Sequence, residues 1–303
     1  MTPHGPVAVL ANPTAGRGRH EGLLPAVLDA LGAAGRPVRL LDAPSAAAAA
    51  QAARAAVAEG AGALVAVGGD GTVHLGLQAV AGTAVPFGTV PAGTGNDFAA
   101  EVGLPGEPLA AARALATALR AGTTRPVDLA DLAGPGGYRR WYGAVLAAGF
   151  DAIVNERANT MRFPRGPRRY DVAIALELAR LRPRRYALHL DGQRADLDAV
   201  LVAVGNGPCY GGGMRICPAA DSTDGLLDVV VVRPISRTTF ARIKPQVYLG
   251  THVNHPAVST YRARRVGLAA EGIRAYADGE RTCPLPVEIT AVPGALRVLT
   301  ATG

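Results

Sequence analysis

Residues 63–72 read ALVAVGGDGT, and VHLGLQAV follows to Val80. Ala63–Val67 is an unbroken apolar run, the pattern of a strand buried on both faces of a parallel sheet. Gly68-Gly69-Asp70-Gly71-Thr72 interrupts it with turn residues, and Val73–Val80 resumes with helical character. The same strand–loop–helix order recurs on either side. Val7–Ala11 is an apolar run ending at Asn12-Pro13, and Leu23, Leu24, Val27, Leu28 and Leu31 follow at helical spacing. Val38–Leu41 reads as a strand, and Ser45 is placed to cap an alanine-rich helix that stops near Glu59-Gly60. Val85–Val90 is a further strand, and Pro108–Ala121 reads as a helix stopped by Gly122. Repeated βα units predict an α/β domain with a parallel sheet and helices on both faces.

The pattern changes after Thr123. Turn signals appear at Gly134-Pro-Gly-Gly137 and Asp191-Gly192, and Tyr186, Leu188 and Leu190 alternate with Ala187, His189 and Asp191. Leu226–Val232, Arg264–Leu268 and Val287–Val292 are further strand candidates, with helical stretches near Tyr170–Leu181 and Ser236–Leu249. Pro245 is expected to kink or shorten the second of these. The expectation is an α/β domain over residues 1–123 and a mainly β sandwich over 124–293.

Composition bounds the function. The 303 residues are 49% hydrophobic and 18% charged, which excludes a mainly disordered chain. No apolar run reaches the ~18 residues that cross a bilayer. The start, MTPHGPVAVLANP, shows no secretory signal, and Cys209, Cys217 and Cys283 are too scattered for a disulfide framework, so a cytoplasmic location is expected. Lys244 is the sole lysine among 31 basic residues. A Walker A loop and a protein-kinase strand lysine are therefore excluded. A net charge of +7 favours anionic partners: nucleotide, nucleic acid or an anionic membrane surface. Helix-turn-helix, RNP and zinc-finger signatures are missing, so no nucleic acid is expected.

The loops carry the chemistry. Glycines at 68, 69 and 71 let the backbone approach a ligand, and a helix N-terminus favours phosphate. Asp70 would repel phosphate unless a divalent cation lay between, which points to a Mg²⁺–nucleotide site; a tight turn with an Asx cap is the alternative. Pro91-Ala92-Gly93-Thr94-Gly95-Asn96-Asp97-Phe98 repeats the design after a strand, and Asn12-Pro13-Thr14-Ala15-Gly16 is a third polar loop. In a parallel sheet all three lie at the carboxyl ends of strands, where ligands bind. Asp278-Gly279, taken alone, is a good hairpin turn. His74 reads as a helix-surface residue, and His252 and His255 have a spacing that one helix face could share.

NPTAGRGR, VAVGGDGT, PAGTGNDFA, GFDAIVNERAN, GNGPCYGGGMRICPAADSTDGLLDV and YADGE occur in this order across nearly the whole chain. This series resembles the diacylglycerol kinase catalytic-domain family, and RANTMRFPRGPRRYD and CPLPVEITAVP look like its actinobacterial members. The resemblance implies an α/β nucleotide domain and a β-sandwich lipid domain, with the last strand (294–303) returning to the first. It implies an ATP site that uses Asn12, Thr14, Gly16, Gly69, Gly71, Thr72, Thr94, Gly95 and Asn96. Asp70 and Asp97 would hold a catalytic Mg²⁺, directly or through water, and Asp278 would be the general base, with Glu280 in support. Asp221, Asp224 and the Leu226 carbonyl match a second, structural Mg²⁺ site; a turn before the next strand is the alternative.

The implied reaction is transfer of the ATP γ-phosphate to diacylglycerol, giving phosphatidic acid. A sphingoid base, monoacylglycerol or other alcohol as acceptor, an NAD kinase and a non-catalytic lipid- or nucleotide-binding regulator are the rival readings. A lipid acceptor requires a visit to the bilayer. Arg162, Arg165, Arg168, Arg169, Arg180, Arg182, Arg184 and Arg185, with Met161, Phe163 and Tyr170, form a basic and apolar stretch suited to peripheral binding at the inner face of the cell membrane. A solvated basic helix face is the alternative, and oligomeric state, a homodimer included, is open.

Overall fold

The structure is a computed structural model, and it describes residues 5–11, 22–41, 43–161, 163 and 168–300. Two compact units emerge: residues 1–129 with 292–303, and residues 130–291.

In the first unit the chain runs β1 (Val7–Ala11), α1 (Leu23–Gly32), β2 (Val38–Leu41), α2 (Ala46–Ala58), β3 (Ala63–Gly68), α3 (Asp70–Val80), β4 (Phe87–Pro91), α4 (Asp97–Glu101) and α5 (Pro108–Ala121). Strand order β2-β1-β3-β4 is parallel throughout, and the end of the last strand joins it in parallel through Val298 opposite Phe87. Helices α1 and α5 pack together, as do α2 and α3, so the two pairs cover the sheet. Val7, Val9, Val65, Val67 and Val90 meet Val27, Leu31, Leu115 and Leu119 in one core. Strands β1, β3 and β4 are buried on both faces, which is why they read as continuous apolar runs.

Local signals set the helix ends. Ser45 Oγ accepts the Ala48 amide at 3.2 Å and starts α2. Glu107 accepts the Leu109 and Ala110 amides ahead of α5, with Pro108 as its first residue, and Gly122 ends that helix at φ +68°. His74 is buried, contrary to its reading as a surface residue. Helix α3 packs on β1, β3, β4 and α2, leaving little of its circumference to solvent.

Strand β5 (Thr124–Gly134) begins just past the expected boundary at 123/124, and the division between the two units, at 129/130, falls within it. It pairs with β6 (Tyr138–Tyr142), and β7 (Val145–Gly149), α6 (Phe150–Thr160), α7 (Arg168–Ala179), β8 (Arg184–Leu190), β9 (Gln193–Ala199), β10 (Leu201–Gly205), β11 (Leu227–Val232) and α8 (Arg237–Leu249) follow. The chain closes with β12 (Val258–Ala263), β13 (Arg265–Ala269), β14 (Arg274–Ala277), β15 (Glu280–Pro284) and β16 (Val287–Leu299). One sheet holds β16-β13-β8-β9, and the other runs β12-β11-β10-β7-β14-β15. Tyr142, Leu146, Val204, Val229 and Val231 meet Tyr186, Leu188, Val266, Leu268 and Ile289 in the core of a sandwich. Pro245 lies inside α8 without ending it, so the expected shortening does not occur. Among the described residues, no helix is long and apolar enough to cross a membrane.

Candidate active site

Parallel register sets the exits of β3 and β4 side by side. Gly68 lies opposite Pro91, and Ala92 N–H donates to the Gly68 carbonyl at 2.8 Å. The two glycine loops then touch. A Cβ on Gly69 would lie 3.1 Å from Gly93 Cα, and one on Gly93 would collide with Gly69 Cα. Close approach, not an unusual φ, therefore demands glycine at both positions.

Acidic residues head both helices that follow. Asp70 is the first residue of α3, and its Oδ1 accepts the Phe98 amide of α4 at 3.2 Å, tying the loops together. Asp97 is the first residue of α4 and is buried. The N-terminal dipole of a helix favours a carboxylate there. Thr72 is buried in the first turn of α3, Thr94 is exposed, and Gly69, Gly71 and Gly95 are half-buried. Asn96 has a different task from direct nucleotide contact alone. At φ +59° its Oδ1 accepts the Gly93 amide at 2.9 Å while its Nδ2 donates to the Gly93 carbonyl at 3.1 Å, so the side chain closes its own loop. Asn12, Thr14 and Gly16 lie outside the described residues, as do Arg162 and Arg165.

In the second unit Asp278 and Gly279 form the two-residue turn between β14 and β15, with φ +51° and +79°. Positive φ at both positions is the type I′ hairpin signature. Asp278 Oδ1 accepts the Ala144 amide at 2.9 Å and Oδ2 the Gly143 amide at 3.1 Å, while its own N–H donates to Val145 O at 3.1 Å. Glu280 opens β15 and is exposed.

Sequence reasoning missed the supports of this turn. Asn206 is fully buried and donates from Nδ2 to the Gly143 carbonyl at 2.9 Å. Glu156 on α6 accepts from Arg281 at 2.8 and 2.9 Å and from the Tyr276 hydroxyl at 2.7 Å. Those bonds, Arg281 foremost, hold the Glu156 carboxyl at about 2. Asp151, at the head of α6, accepts from the Tyr210 hydroxyl. Burial raises the Asp151 carboxyl, and the Tyr210 bond opposes that rise. Asn206, Asp151 and Tyr210 stand inside the quoted motifs, but main-chain acceptors and packing partners leave no mark in a sequence.

Metal fit differs between the two expected sites. Magnesium is commonly held by one or two carboxylates, with phosphate oxygens and waters completing the shell, and Asp70 with Asp97 meets that description. The donors at 221–226 are otherwise engaged. Asp221 Oδ1 accepts from Thr223 N–H and Oγ1 at 3.0 and 2.6 Å, and Asp224 Oδ1 accepts the Leu226 amide at 2.9 Å. Asp224 Oδ2 pairs with Arg262, which stands opposite Asp228 and pairs with it at 3.3 Å. The cation beside Asp224 in this arrangement is the Arg262 guanidinium. Among the described residues, no three His, Cys, Asp or Glu side chains gather as a metal site. His252 is buried against the Ile216 carbonyl, and His255 Nδ1 accepts the Ala257 amide, so this pair does not form the shared face.

Comparison with known proteins matches both units. Residues 6–132 fit the diacylglycerol kinase catalytic domain, and residues 144–300 fit the YegS C-terminal NAD kinase beta sandwich-like domain. A diacylglycerol kinase of Mycobacterium tuberculosis is 48% identical over 247 residues, covering 81% of this chain and 79% of the relative. A solved diacylglycerol kinase of Bacillus anthracis superposes with a TM-score of 0.73 at 22% identity, over 97% of this chain and 96% of the other. An ATP-bound NAD kinase from Archaeoglobus fulgidus superposes with a TM-score of 0.56 at 14% identity, over 98% and 94% of the two chains. Those two likenesses speak to fold alone. The extent and identity of the mycobacterial match settle membership: the chain is a kinase-type phosphotransferase of the diacylglycerol kinase-like lipid kinase family.

Proposed function

We propose that this protein transfers the γ-phosphate of ATP to the hydroxyl of diacylglycerol, giving phosphatidic acid. The observation that carries the reading is the contact of two glycine loops, Gly69 against Gly93, with Asp70 and Asp97 at the heads of the helices that follow. Such a cradle offers backbone N–H groups to phosphate and carboxylates to a metal. The mycobacterial relative's name supplies the acceptor.

Gly69, Gly71, Thr72, Thr94 and Gly95 would bind the phosphates, with Asn96 fixing the loop that presents them and Asn12, Thr14 and Gly16 completing the site. Asp70 and Asp97 would hold Mg²⁺, which when bound offsets charge on the transferring phosphoryl group. Asp278 takes the proton of the acceptor hydroxyl as its oxygen attacks phosphorus, and the ADP oxygen leaves with the bond electrons. Glu280 is a supporting charge beside that turn. This chemistry asks nothing of a lysine, since amides, carboxylate-bound metal and arginine supply the electrostatics. Peripheral binding to an anionic membrane surface would bring the enzyme to its lipid.

The test is transfer of label from [γ-³²P]ATP with Mg²⁺ to diacylglycerol, monoacylglycerol, sphingosine and ceramide in mixed micelles, with NAD as the soluble acceptor. Labelled phosphatidic acid, lost in Asp278→Asn, is the expected result. Label in another product would retain the chemistry and replace the acceptor. Bound ATP with no label on any acceptor would overturn the reading.

A further inference from the structure

We infer that Asn206 is a positioning residue for the reaction: it holds the Gly143–Ala144 peptide, whose amide binds the Asp278 carboxylate. The inference rests on the reading of Asp278 as the base.

Asp278 sits on a two-residue turn, and a turn by itself leaves an aspartate side chain several rotamers. Here both oxygens are claimed by consecutive amides, Ala144 on Oδ1 at 2.9 Å and Gly143 on Oδ2 at 3.1 Å. The Ala144 amide belongs to the Gly143–Ala144 peptide, in the short link between β6 and β7 and outside the ladder of either strand. Its direction is set by what binds its own carbonyl, that of Gly143. The Gly143 carbonyl accepts from Asn206 Nδ2 at 2.9 Å, and the Ala144 carbonyl accepts from Asn206 N–H at 2.8 Å and Gly207 N–H at 3.0 Å. Asn206 therefore grips the peptide that carries the Ala144 amide with its side chain, and the peptide that follows it with its main chain. Its own place is set by β10, whose Gly205 stands opposite Val145 in the antiparallel ladder with β7. The side chain is fully buried, so water does not compete for the bond.

The chemical consequence is a base that is oriented before the acceptor arrives. An ionised carboxylate offers about four lone-pair directions. The two amides each take one direction on one oxygen and so fix the orientation of the carboxylate. Preorganisation of this kind accelerates the chemical step without tightening substrate binding. Removing the Asn206 side-chain donor frees the Gly143 peptide to rotate and lets the carboxylate turn with it.

The experiment compares wild type, Asn206→Ala, Asn206→Ser and Asp278→Asn by lipid phosphorylation kinetics and by hydrogen exchange in the peptide spanning 142–146. Asn206→Ala is expected to lower kcat at least tenfold with the KM for ATP within twofold of wild type. Asn206→Ser, which retains a short donor, should recover part of the loss. Exchange in 142–146 should accelerate in Asn206→Ala and in Asp278→Asn alike, because the first removes the donor to the Gly143 carbonyl and the second one of the two acceptors of these amides. A folded Asn206→Ala protein with wild-type kcat would overturn the inference, as would a loss of kcat with unchanged exchange in 142–146. If Asn206→Ala does not fold, Asn206→Ser carries the same readouts, and wild-type kcat together with wild-type exchange in it overturns the inference. Full turnover in Asp278→Asn would instead sink the assignment of the base, a result that Asn206 variants cannot mimic.

Discussion

Asp278 carries two burdens, and they can be separated. As a turn residue it adopts φ +51°, where aspartate and asparagine are among the few non-glycine residues at ease. Asp278→Asn therefore preserves the turn and one acceptor oxygen but removes the charge and the second acceptor. The variant should fold, bind ATP with affinity near wild type, and lose transfer by roughly 10²- to 10⁴-fold, the span usual for a positioned base. Nucleotide titration beside the labelled-phosphate assay checks both halves; equal loss of binding and turnover would assign Asp278 to the nucleotide site instead. At this scale the sequence was readable where a residue's type states its job. Asp70, Asp97 and the paired glycines stand where the sequence placed them, at the heads of α3 and α4 and in the loops before them. Asn206 was not readable in that way, because its partner is the carbonyl of Gly143, 63 positions away, and any residue but proline would offer the Gly143 amide. Asn96 was legible as a member of the loop but not as the clasp of it.

Two elements are tested by what they press against. Gly93→Ala sets a methyl against backbone at Gly69, which cannot swing aside as a side chain would. Overpacking of that kind costs about 1–3 kcal/mol, enough to lower Tm by several degrees and to spoil ATP binding. Gly106→Ala, whose Cβ meets nothing within 4 Å, is the control and should leave both unchanged. Helix α6 is tied to the β14–β15 hairpin through Glu156, Arg281 and Tyr276. Bonds to the charged form hold Glu156 at about 2, below its ordinary 4.5, so the tie stabilises the fold fully above pH 4.5 and fades as pH falls toward 2. Because Glu156 is 39% exposed, solvent screening limits the effect to about 1 kcal/mol. Wild type should lose more stability than Glu156→Gln between those two pH values, and parallel melting curves for the pair would refute the tie. The elements themselves were largely legible. Buried parallel strands give unbroken apolar runs, and Ser45, Glu107 and Gly122 mark helix ends by their own chemistry. The second unit was harder to read. Strand β9 is mostly exposed, with Arg194, Asp196 and Asp198 among its residues, and pairing with β8 rather than apolar pattern makes it a strand.

A lipid kinase must also reach its lipid, and the protein as a whole has the charge for it. The net charge is +7, and nearly all of the basic residues are arginines. Arg168 and Arg169 open α7, where Val172 and Leu176 are also exposed one helical turn apart. Phe163 is 84% exposed and Leu249, at the end of α8, is 74% exposed, which is unusual for side chains of that size. The two helices share a base: Phe240 of α8 packs on Phe150 of α6 with ring centroids 4.6 Å apart, beside Ile174 and Leu178 of α7. Basic residues near an anionic bilayer gain roughly 1 kcal/mol each, and exposed apolar side chains can enter the interface. Coulombic attraction is screened within about 10 Å at 0.1 M salt, whereas insertion of apolar groups is not. Cosedimentation should therefore show binding to phosphatidylglycerol vesicles at low salt, weakening as salt rises, and little binding to phosphatidylcholine. Phe163→Ala and Leu249→Ala should reduce what binding survives high salt, and Arg168→Glu with Arg169→Glu should reduce the salt-sensitive part. Equal binding to neutral and anionic vesicles would reject the electrostatic account. Tight association with duplex DNA but not with vesicles would assign the positive charge to a different partner, and with it the reason for so basic a surface.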